Sequence, residues 1–356
     1  MKLIRLNSFL YLFCILSAFA SCVQQTDSSV EDWDRTFINT KKLISEACLD
    51  RELILGRPFL IQYVDSSLLI YDDIGDSLFL LVDLKENDRV YRFGQKGEGN
   101  NEFLQVFAFC NMKSDSILGV YDAYKHELRE INLDKVKRGE MNFPVVFKDT
   151  LSSIKLSPTK YDAYLGLGFY ESNMLSLTDN SIGSKFFFEY PYKDSREKAI
   201  SNRLRGMAYQ GTLCSNRSLD KFLYAVRSAP IFMLFSVNKD GIEKIYELIG
   251  GYPNYVTEET GEYRSAPMSA DNKMSFTMAY ATDNYIYLLY SGKNFRDAGM
   301  DAFKANVIYQ LSWNGKPINK FETDYPLTNF CVSDNDDVLY ALADKGEVEL
   351  VQYTLK

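Results

Sequence analysis

Histidine is almost missing from this sequence, which contains one, His126, among 356 residues. A single histidine excludes a multi-histidine zinc site and argues against a Ser–His–Asp triad. The six cysteines form no C-x-x-C pair, and no G-x-x-x-x-G-K-S/T loop is present, so neither a thiolate metal site nor a P-loop is predicted. His126 lies between two strand-like runs, and we interpret it as a solvated turn residue. We therefore assign no catalytic residue, no metal and no cofactor.

Basic residues are also scarce. The formal net charge is −8, and loss of the first 21 residues would remove Lys2 and Arg5 but no acid, which leaves 38 basic against 48 acidic side chains. Nucleic acids need a basic protein surface to neutralise their phosphates, so we predict no nucleic-acid partner. The same deficit argues against electrostatic docking to an anionic lipid surface.

The apolar run near the start is too short to cross a membrane as a helix. It covers residues 8–20, which as a helix would span roughly 20 Å against a hydrocarbon core of about 30 Å. Lys2 and Arg5 precede it and Phe19-Ala20-Ser21-Cys22 closes it, as in a secretory leader. Small residues before a cysteine resemble a bacterial lipobox, which implies lipidation at Cys22. A plain cleaved signal peptide is the alternative.

These features predict three segments. Residues 1–21 form a lipoprotein signal peptide, residues 22–32 a flexible lipidated tether, and residues 33–356 one folded domain. We expect the protein in a bacterial cell envelope, held to the outer membrane by its N-terminal lipid. The sequence leaves open which side of that membrane it faces.

What the chain has in abundance is strand-forming residues. It contains 25 Tyr and 24 Phe, and aromatic and β-branched residues favour strands. Short apolar runs separated by turn residues recur in units of about 45 to 55 residues, which fits propeller blades better than solenoid repeats. We predict an all-β fold, a six-bladed β-propeller. The predicted strands are 57–65, 67–71, 77–84 and 89–93 in blade 1; 105–111, 116–122 and 127–133 in blade 2; 157–167, 169–177 and 185–190 in blade 3; 206–215, 221–227, 231–237 and 243–248 in blade 4; 274–281, 285–290, 307–313 and 318–322 in blade 5; and 327–333, 338–343 and 347–355 in blade 6.

A glycine-rich stretch, residues 91–103, joins blade 1 to blade 2. A dinucleotide fingerprint requires G-x-G-x-x-G before a helix, whereas here the order is G-x-x-G-x-G and a strand-like run follows. We interpret the stretch as a structural blade connector, because glycine clusters usually mark turns. Its structural residues are Gly94, Gly97, Gly99, Glu102 and Phe103.

The connector also carries a resemblance. Phe-Gly-x-x-Gly-x-Gly-x-x-Glu-Phe resembles the loop between the first two blades of the TolB-like six-bladed β-propeller lipoproteins of bacteria, and NHL-type propellers have a similar loop. The stretches 208–211, 285–293, 307–320 and 332–342 resemble the same family. The resemblance implies a six-bladed propeller on a lipid tether, and it implies no known activity.

The last predicted blade lacks one strand. In propellers an N-terminal strand often supplies it, and Asp50–Leu55 has the composition of a strand. A Cys48–Cys331 disulfide would lock this closure in an exported protein. The alternative is that these two cysteines, with Cys110 and Cys214, are buried thiols. The sequence leaves both possibilities open.

Two connectors depart from the strand pattern. Residues 191–205 could hold a short helix, and residues 250–266 form a long loop rich in Gly and Tyr. Long loops of this kind are often binding loops, and Tyr and Arg are enriched in interface hot spots. We predict a recognition surface from Tyr252, Tyr255, Tyr263 and Arg264. The alternative is that this loop packs its aromatic side chains back onto the blades.

The acidic run Asp334–Asp337 could suggest a calcium loop. An EF-hand would need Gly at its sixth position and Glu at its twelfth, where this sequence has Leu339 and Lys345. We therefore predict a turn between two strands.

The predicted function is that of a cell-envelope binding module whose partner is an unknown protein, glycan or peptide at the central channel. The rival hypothesis is an enzyme, a hydrolase or lyase acting on glycan or peptide through loop carboxylates or a bound metal. Acids gathered at a channel mouth would favour the enzyme, and an apolar or Tyr-lined mouth would favour binding. Propellers host both kinds of function.

Overall fold

The structure is a computed structural model that describes residues 24–26, 29–49, 53–86, 89–179, 183–260 and 263–356. The predicted leader and its lipidation site, Cys22, lie outside these residues. Within them, no helix is both long enough and apolar enough to span a membrane.

The N-terminal segment contributes short elements that attach to the outer edges of later blades. They are β1 (Gln24–Thr26), α1 (Val30–Asp34), β2 (Thr40–Leu43) and β3 (Glu46–Ala47). β1 runs parallel to the outer strand of blade 4, and β2 runs parallel to the outer strand of blade 5. β3 pairs antiparallel with the last strand of the chain and so completes blade 6.

Blades 1 to 3 are three four-stranded antiparallel sheets. Their elements, with the connector strands β8 and β9, are β4 (Pro58–Val64), β5 (Ser67–Ile74), β6 (Ser77–Asp83) and β7 (Arg89–Phe93); β8 (Gln95–Lys96) and β9 (Glu102–Phe103); β10 (Val106–Asn111), β11 (Ile117–Asp122), β12 (Glu127–Asn132), α2 (Leu133–Lys137) and β13 (Val145–Lys148); and β14 (Lys155–Pro158), β15 (Ala163–Leu167), β16 (Leu175–Asp179) and β17 (Gly183–Phe187).

Blades 4 to 6 follow the same plan, except that one long strand serves two blades. β27 is the outer strand of blade 5 and continues as the inner strand of blade 6. The elements are α3 (Ser195–Lys198), α4 (Asn202–Ala208), β18 (Gly211–Ser215), β19 (Lys221–Val226), β20 (Ile231–Val237) and β21 (Ile242–Ile249); β22 (Glu258–Thr260) and β23 (Tyr263–Ser265); β24 (Phe276–Ala281), β25 (Tyr285–Tyr290), α5 (Phe295–Ala298), the 3-10 helix Gly299–Phe303, β26 (Ala305–Ser312) and β27 (Pro317–Val332); and β28 (Val338–Asp344) and β29 (Val348–Thr354).

The inner strand of each blade contacts the inner strands of its neighbours, so the six sheets surround one central channel. These strands are β4, β10, β14, β18, β24 and the final part of β27. Hydrogen bonds join their beginnings to one another, as between Asn329 Nδ2 and the Phe59 carbonyl at 2.7 Å. We call the end of the channel where the inner strands begin the top face, and the end where they finish the bottom face.

The ring closes as predicted by a strand from the N-terminal segment, but that strand is not the expected one. Glu46–Ala47 completes blade 6, whereas Leu53, Ile54 and Leu55 belong to no strand. The other half of the expected strand, 50–52, lies outside the described residues. The pairing partner is more than 300 residues away in sequence, so composition alone could not single out this two-residue strand.

The N-terminal segment is also anchored by Trp33, which is buried between blades 4 and 5. Its ring lies 4.7 Å from Tyr309 and 5.0 Å from Phe37, centroid to centroid. The Asp34 carboxylate accepts hydrogen bonds from the Tyr309 hydroxyl at 2.6 Å and from Lys320 Nζ at 2.7 Å. Aromatic packing of this kind adds to the area that the rings bury.

The glycine-rich stretch is a structural connector, as predicted. β8 and β9 run parallel within it, and Phe103 is fully buried. Gly94 has φ of 74°, in the region that favours glycine. The Glu102 carboxylate accepts a hydrogen bond from the Gly99 amide at 2.8 Å, which links the glycines of the connector to β9.

Several expected turns are confirmed. His126 has φ of 54° and joins β11 to β12. Gly315, with φ of 78°, lies in the turn between the predicted strands 307–313 and 318–322. Asp336 lies in the turn between β27 and β28. Its carboxylate accepts hydrogen bonds from Thr282 and Tyr287 at 2.7 and 2.8 Å, so the acidic run joins blade 6 to blade 5.

Other strand assignments need correction. Residues 206–208 belong to helix α4, which Ser201 caps by accepting the Leu204 amide, and the strand begins only at Gly211. Blade 2 has a fourth strand, Val145–Lys148, and the run 157–167 contains a turn that divides it into two strands. In the described residues all four cysteines are thiols, so the Cys48–Cys331 bridge is not formed.

Candidate functional site

At the bottom of the channel, hydrogen bonds join polar groups from four blades. Gln62 Nε2 of blade 1 donates to Asn111 Oδ1 of blade 2 at 3.2 Å and lies 3.1 Å from the Tyr280 hydroxyl of blade 5. Asn111 Nδ2 in turn donates to the Ser215 carbonyl of blade 4 at 3.2 Å. Because buried polar groups are costly unless they are paired, this cluster stabilises the ring.

Arg217 lies beside this cluster, in the turn before β19. Its guanidinium contacts Asp115 Oδ1 at 2.9 Å and the Ser114 carbonyl at 3.3 Å, both in blade 2. Nearby, desolvation raises the pKa of Asp334, although the charge of Arg217 opposes that rise. Asp115, Asp283 and Asp334 thus lie around Arg217, which already pairs with Asp115.

The top of the channel holds a different cation, Lys155, at the start of β14. Its ammonium donates to the Phe107 carbonyl and lies 5.9 Å from the Phe107 ring centroid. Desolvation, with a further contribution from the positive charge of Arg227, lowers the pKa of Lys155 to about 7. Lys155 is therefore a base that titrates near neutral pH.

Arg227 lies at the same end, directly after β19. Its backbone amide donates to the Gln210 carbonyl at 3.0 Å, and its carbonyl accepts the Ser275 amide at 2.6 Å, so its main chain is fixed between blades 4 and 5. Within the described part of the chain its guanidinium has neither a hydrogen bond nor an ion pair. The side chain keeps an exposed surface in an open concavity, yet the surrounding protein displaces enough water to lower its pKa.

Arg227 opens into a cavity of about 370 Å³ on the top face, which we call the blade 4–5 pocket. This volume lies within the usual range for small-molecule sites, about 300–1,000 Å³. The pocket wall is mainly apolar and comes from four separate connectors. It is lined by Met207, Ala208, Gln210, Arg227, Ser228, Met268, Ser269, Ala270, Asn272, Met274, Phe295 and Phe303.

The other polar side chains of the pocket are already engaged. Asn272 Nδ2 donates to the Ser228 carbonyl at 2.9 Å, and its Oδ1 accepts the Asn254 amide at 2.8 Å. The Ser228 hydroxyl donates to the Ala208 carbonyl at 2.6 Å. Gln210 Nε2 donates to the Met207 carbonyl at 3.0 Å. The guanidinium of Arg227 is thus the strong donor that the pocket leaves available.

A larger cavity, of about 720 Å³, lies beside β3 and β29. Its lining includes Leu49 and Leu53. Among the described residues, no group of three or more His, Cys, Asp or Glu side chains is placed to hold a metal ion.

The predicted recognition surface divides into two parts. Tyr252 and Tyr255 pack against the core of blades 3 and 4, and the Tyr255 hydroxyl donates to Glu197 Oε1 at 2.8 Å. Tyr263 is exposed on the hairpin β22–β23, where Arg264 pairs with Glu259 at 2.8 Å. Tyr255 forms a bridge with Met268, which lines the blade 4–5 pocket. A binding role for the four residues remains a prediction.

Sequence reasoning missed Arg227 and Lys155. One signal for Arg227 was present, because no acidic residue occurs between Asp220 and Asp240 to pair with it locally. No such signal marked the pocket itself, since Met207, Met268 and Phe295 come together only through the packing of blades 4 and 5.

Comparisons with known proteins agree with the six-sheet ring. A putative exported protein from Bacteroides fragilis has a solved structure that matches at a TM-score of 0.52 and 12% identity, over 88% of this chain and 98% of that one. A member of the duf4221 family from Bacteroides vulgatus matches at a TM-score of 0.51 and 12% identity, over 89% and 96% of the two chains. At this identity the likeness shows the fold alone. A comparison with curated proteins finds no match.

The match to a family is more specific. The family model described as TolB-like, 6-blade propeller-like, matches residues 36–335. Those residues include five complete blades and the whole of β27, which begins the sixth. The chain therefore belongs to the TolB-like six-bladed β-propeller family.

Proposed function

We propose that this protein is a lipid-anchored protein of the bacterial cell envelope whose propeller binds a small ligand in the blade 4–5 pocket. The observation that carries the binding role is the contrast within this pocket: its polar side chains are engaged, whereas Arg227 is fixed by its main chain and left without a side-chain partner. A buried or partly desolvated charge is costly unless it is paired. A ligand would supply the missing partner.

The position of the pocket supports the same proposal. The Gln62, Asn111 and Tyr280 side chains are joined by hydrogen bonds at the bottom of the channel, whereas the blade 4–5 pocket lies on the top face. The top face is also where the long connectors of blades 4 and 5 lie, and loops on a rigid scaffold commonly carry binding residues.

The binding role can be tested without knowing the ligand. The full-length protein, reconstituted in lipid nanodiscs, is incubated with a small-molecule extract of envelope fractions, and the retained compounds are identified by mass spectrometry. We expect at least one compound that the wild type retains and Ala270→Phe loses, because the larger side chain fills the pocket. Ala199→Phe, at an exposed site outside the pocket, should retain it. If wild type and Ala270→Phe retain the same compounds, the pocket is not the binding site.

The lipid anchor needs a separate test. The leader pattern ending at Cys22 supports it, and the Bacteroides fragilis protein of similar fold is described as a putative exported protein. Cells expressing the full chain are fed an alkyne-bearing fatty acid. We expect label on the wild type and none on Cys22→Ser, whereas Cys48→Ser should be labelled normally. Equal labelling of the wild type and Cys22→Ser would contradict the anchor.

One observation favours the alternative, an enzyme. Asp334 has a raised pKa and lies near Asp115 and Asp283 at the bottom face, where it could act as a general acid. The acids thus gather at the bottom end of the channel rather than around the blade 4–5 pocket. Hydrolysis of envelope glycan or peptide that Asp334→Asn abolishes would favour the enzyme over the binding module.

A further inference from the structure

The charge of the blade 4–5 pocket limits the ligands that it can accept. Arg227 is the one charged side chain among its lining residues. A cationic ligand would be repelled by Arg227 and, more distantly, by Lys155, whose pKa the charge of Arg227 helps to lower. A single guanidinium balances a single negative charge, and its two parallel N–H groups match the two oxygens of a carboxylate.

The wall of the pocket limits the rest of the ligand. Seven of the lining side chains are apolar, and three of these are methionines, whose flexible thioethers adapt to irregular shapes. Phe295 is half exposed at the pocket, where it offers an aromatic face. A sugar needs many hydrogen-bond partners, but Asn272 and Ser228 already use theirs within the protein. The lining therefore suits an apolar body rather than a polyhydroxyl one.

We propose that the blade 4–5 pocket takes an apolar monocarboxylate, with the carboxylate on the Arg227 guanidinium and the apolar body against the methionine and phenylalanine side chains. This inference rests on the proposed function, because it names the ligand class of the same pocket. The main alternative ligand class is a phosphate monoester. It carries up to two negative charges, which one guanidinium would not balance.

Three probes test the ligand class in the unmodified protein. Calorimetric titration of the full-length protein in nanodiscs, with empty nanodiscs as the blank, compares 4-phenylbutyrate, its neutral amide and phenyl phosphate. We expect 4-phenylbutyrate to bind with a Kd of about 1 mM or tighter, as suits a probe of this size. The amide should bind at least about tenfold more weakly, since it loses the charge-assisted hydrogen bonds. Phenyl phosphate should also bind more weakly than the carboxylate.

Variants locate the interaction. Arg227→Met should weaken 4-phenylbutyrate binding at least about tenfold, and Arg227→Lys should recover part of it. Arg217→Met, which removes the arginine at the other end of β19, should leave the Kd unchanged. Circular dichroism of each variant checks that the fold is kept. Equal binding of the acid and the amide, tighter binding of phenyl phosphate, or equal loss in both Met variants would overturn the ligand class.

The two proposals fail in different ways. If the extract experiment with Ala270→Phe identifies a neutral or cationic compound, the pocket binds a ligand but the carboxylate assignment is wrong. If neither the extract nor the probes contain anything that Ala270→Phe loses, both the binding role and the ligand class are wrong.

Discussion

Arg217 and Arg227 lie at the two ends of the same strand, β19, and face opposite ends of the central channel. Arg217 is mostly buried, with 19% of its side chain exposed, and it contacts Asp115 and the Ser114 carbonyl. Arg227 is exposed in the blade 4–5 pocket and has no side-chain partner among the described residues. Both residues are arginines that flank the same strand, so they differ only in the groups that the fold places around each guanidinium.

The two arginines therefore differ in role: Arg217 has protein partners, whereas the Arg227 guanidinium is available to a ligand. At the bottom, Arg217 adds to a cluster in which Gln62 bonds to both Asn111 and Tyr280 across the channel. At the top, the main chain of Arg227 is fixed by two backbone hydrogen bonds while its guanidinium is left open. A charge that is held in place and left unpaired costs stability, which is why we assign Arg227 to binding and Arg217 to the ring.

The largest expected effect comes from breaking the bottom cluster. Asn111→Leu leaves Gln62 and the Ser215 carbonyl without their buried partner. We expect the free energy of unfolding to fall by about 2–4 kcal/mol, as for other buried polar groups that lose a partner. Urea denaturation measures it, and Asn39→Leu, at an exposed site, serves as the control. A loss no larger than that of the control would show that the bottom cluster does not hold the ring.

The next effect concerns Lys155, the second cation of the top face. Its pKa in the folded protein, about 7, lies below the ordinary value of 10.5 because burial disfavours the charged form. Between these two values the unfolded chain keeps a proton that the folded protein has lost, so the free energy of unfolding rises with pH across this window. Below pH 7 both states are protonated, and the full cost of the buried charge is present.

Lys155→Met removes that cost. We expect the variant to be more stable than the wild type by about 1–2 kcal/mol at pH 6, a value reduced because part of the side chain remains in contact with water. The difference should shrink as the pH rises above 7. Denaturation at several pH values measures it, with Lys273→Met at an exposed site as the control. A variant that is less stable than the wild type at pH 6 would contradict the assignment of Lys155 as a costly cation.

The smallest effect is the one that compares the two arginines directly. Arg217→Met should lower the free energy of unfolding by about 0.5–1 kcal/mol, since its partner Asp115 is 88% exposed and such pairs are weak. Arg227→Met should leave stability unchanged or raise it slightly, because no pairing is lost. It should also raise the pKa of Lys155, followed by pH titration of dimethylated lysines in NMR spectra. Destabilisation by Arg227→Met equal to that by Arg217→Met would remove the distinction between the two ends.

Local features of this fold could be read from the sequence, and non-local ones could not. The hairpin at Gly315 and the connector around Gly94 follow from residues that lie next to each other, because the required backbone conformation favours glycine. β3 could not be found in this way, since its pairing with β29 joins the two ends of the chain. The sequence predicts a strand from 206, because Met207 and Ala208 resemble the start of an apolar run, whereas the structure has helix α4 there.

The candidate site was even harder to predict from the sequence, because it is formed by residues that are distant in sequence. The prediction that Tyr252 and Tyr255 form a recognition surface rests on their residue type. The structure places both against the core of blades 3 and 4. The availability of the Arg227 guanidinium depends on packing. Packing decides which connectors surround it and leaves it without an acidic partner among the described residues. Residue type identifies side chains that can bind a partner, whereas the fold decides which of them remains available.

The most direct test of the account is a crystal structure of the full-length protein with 4-phenylbutyrate. We predict electron density for the ligand between blades 4 and 5, with its carboxylate on the Arg227 guanidinium and its ring against Met268 or Phe295. Ligand density at the bottom face beside Arg217, with the blade 4–5 pocket empty in the same crystal, would contradict it.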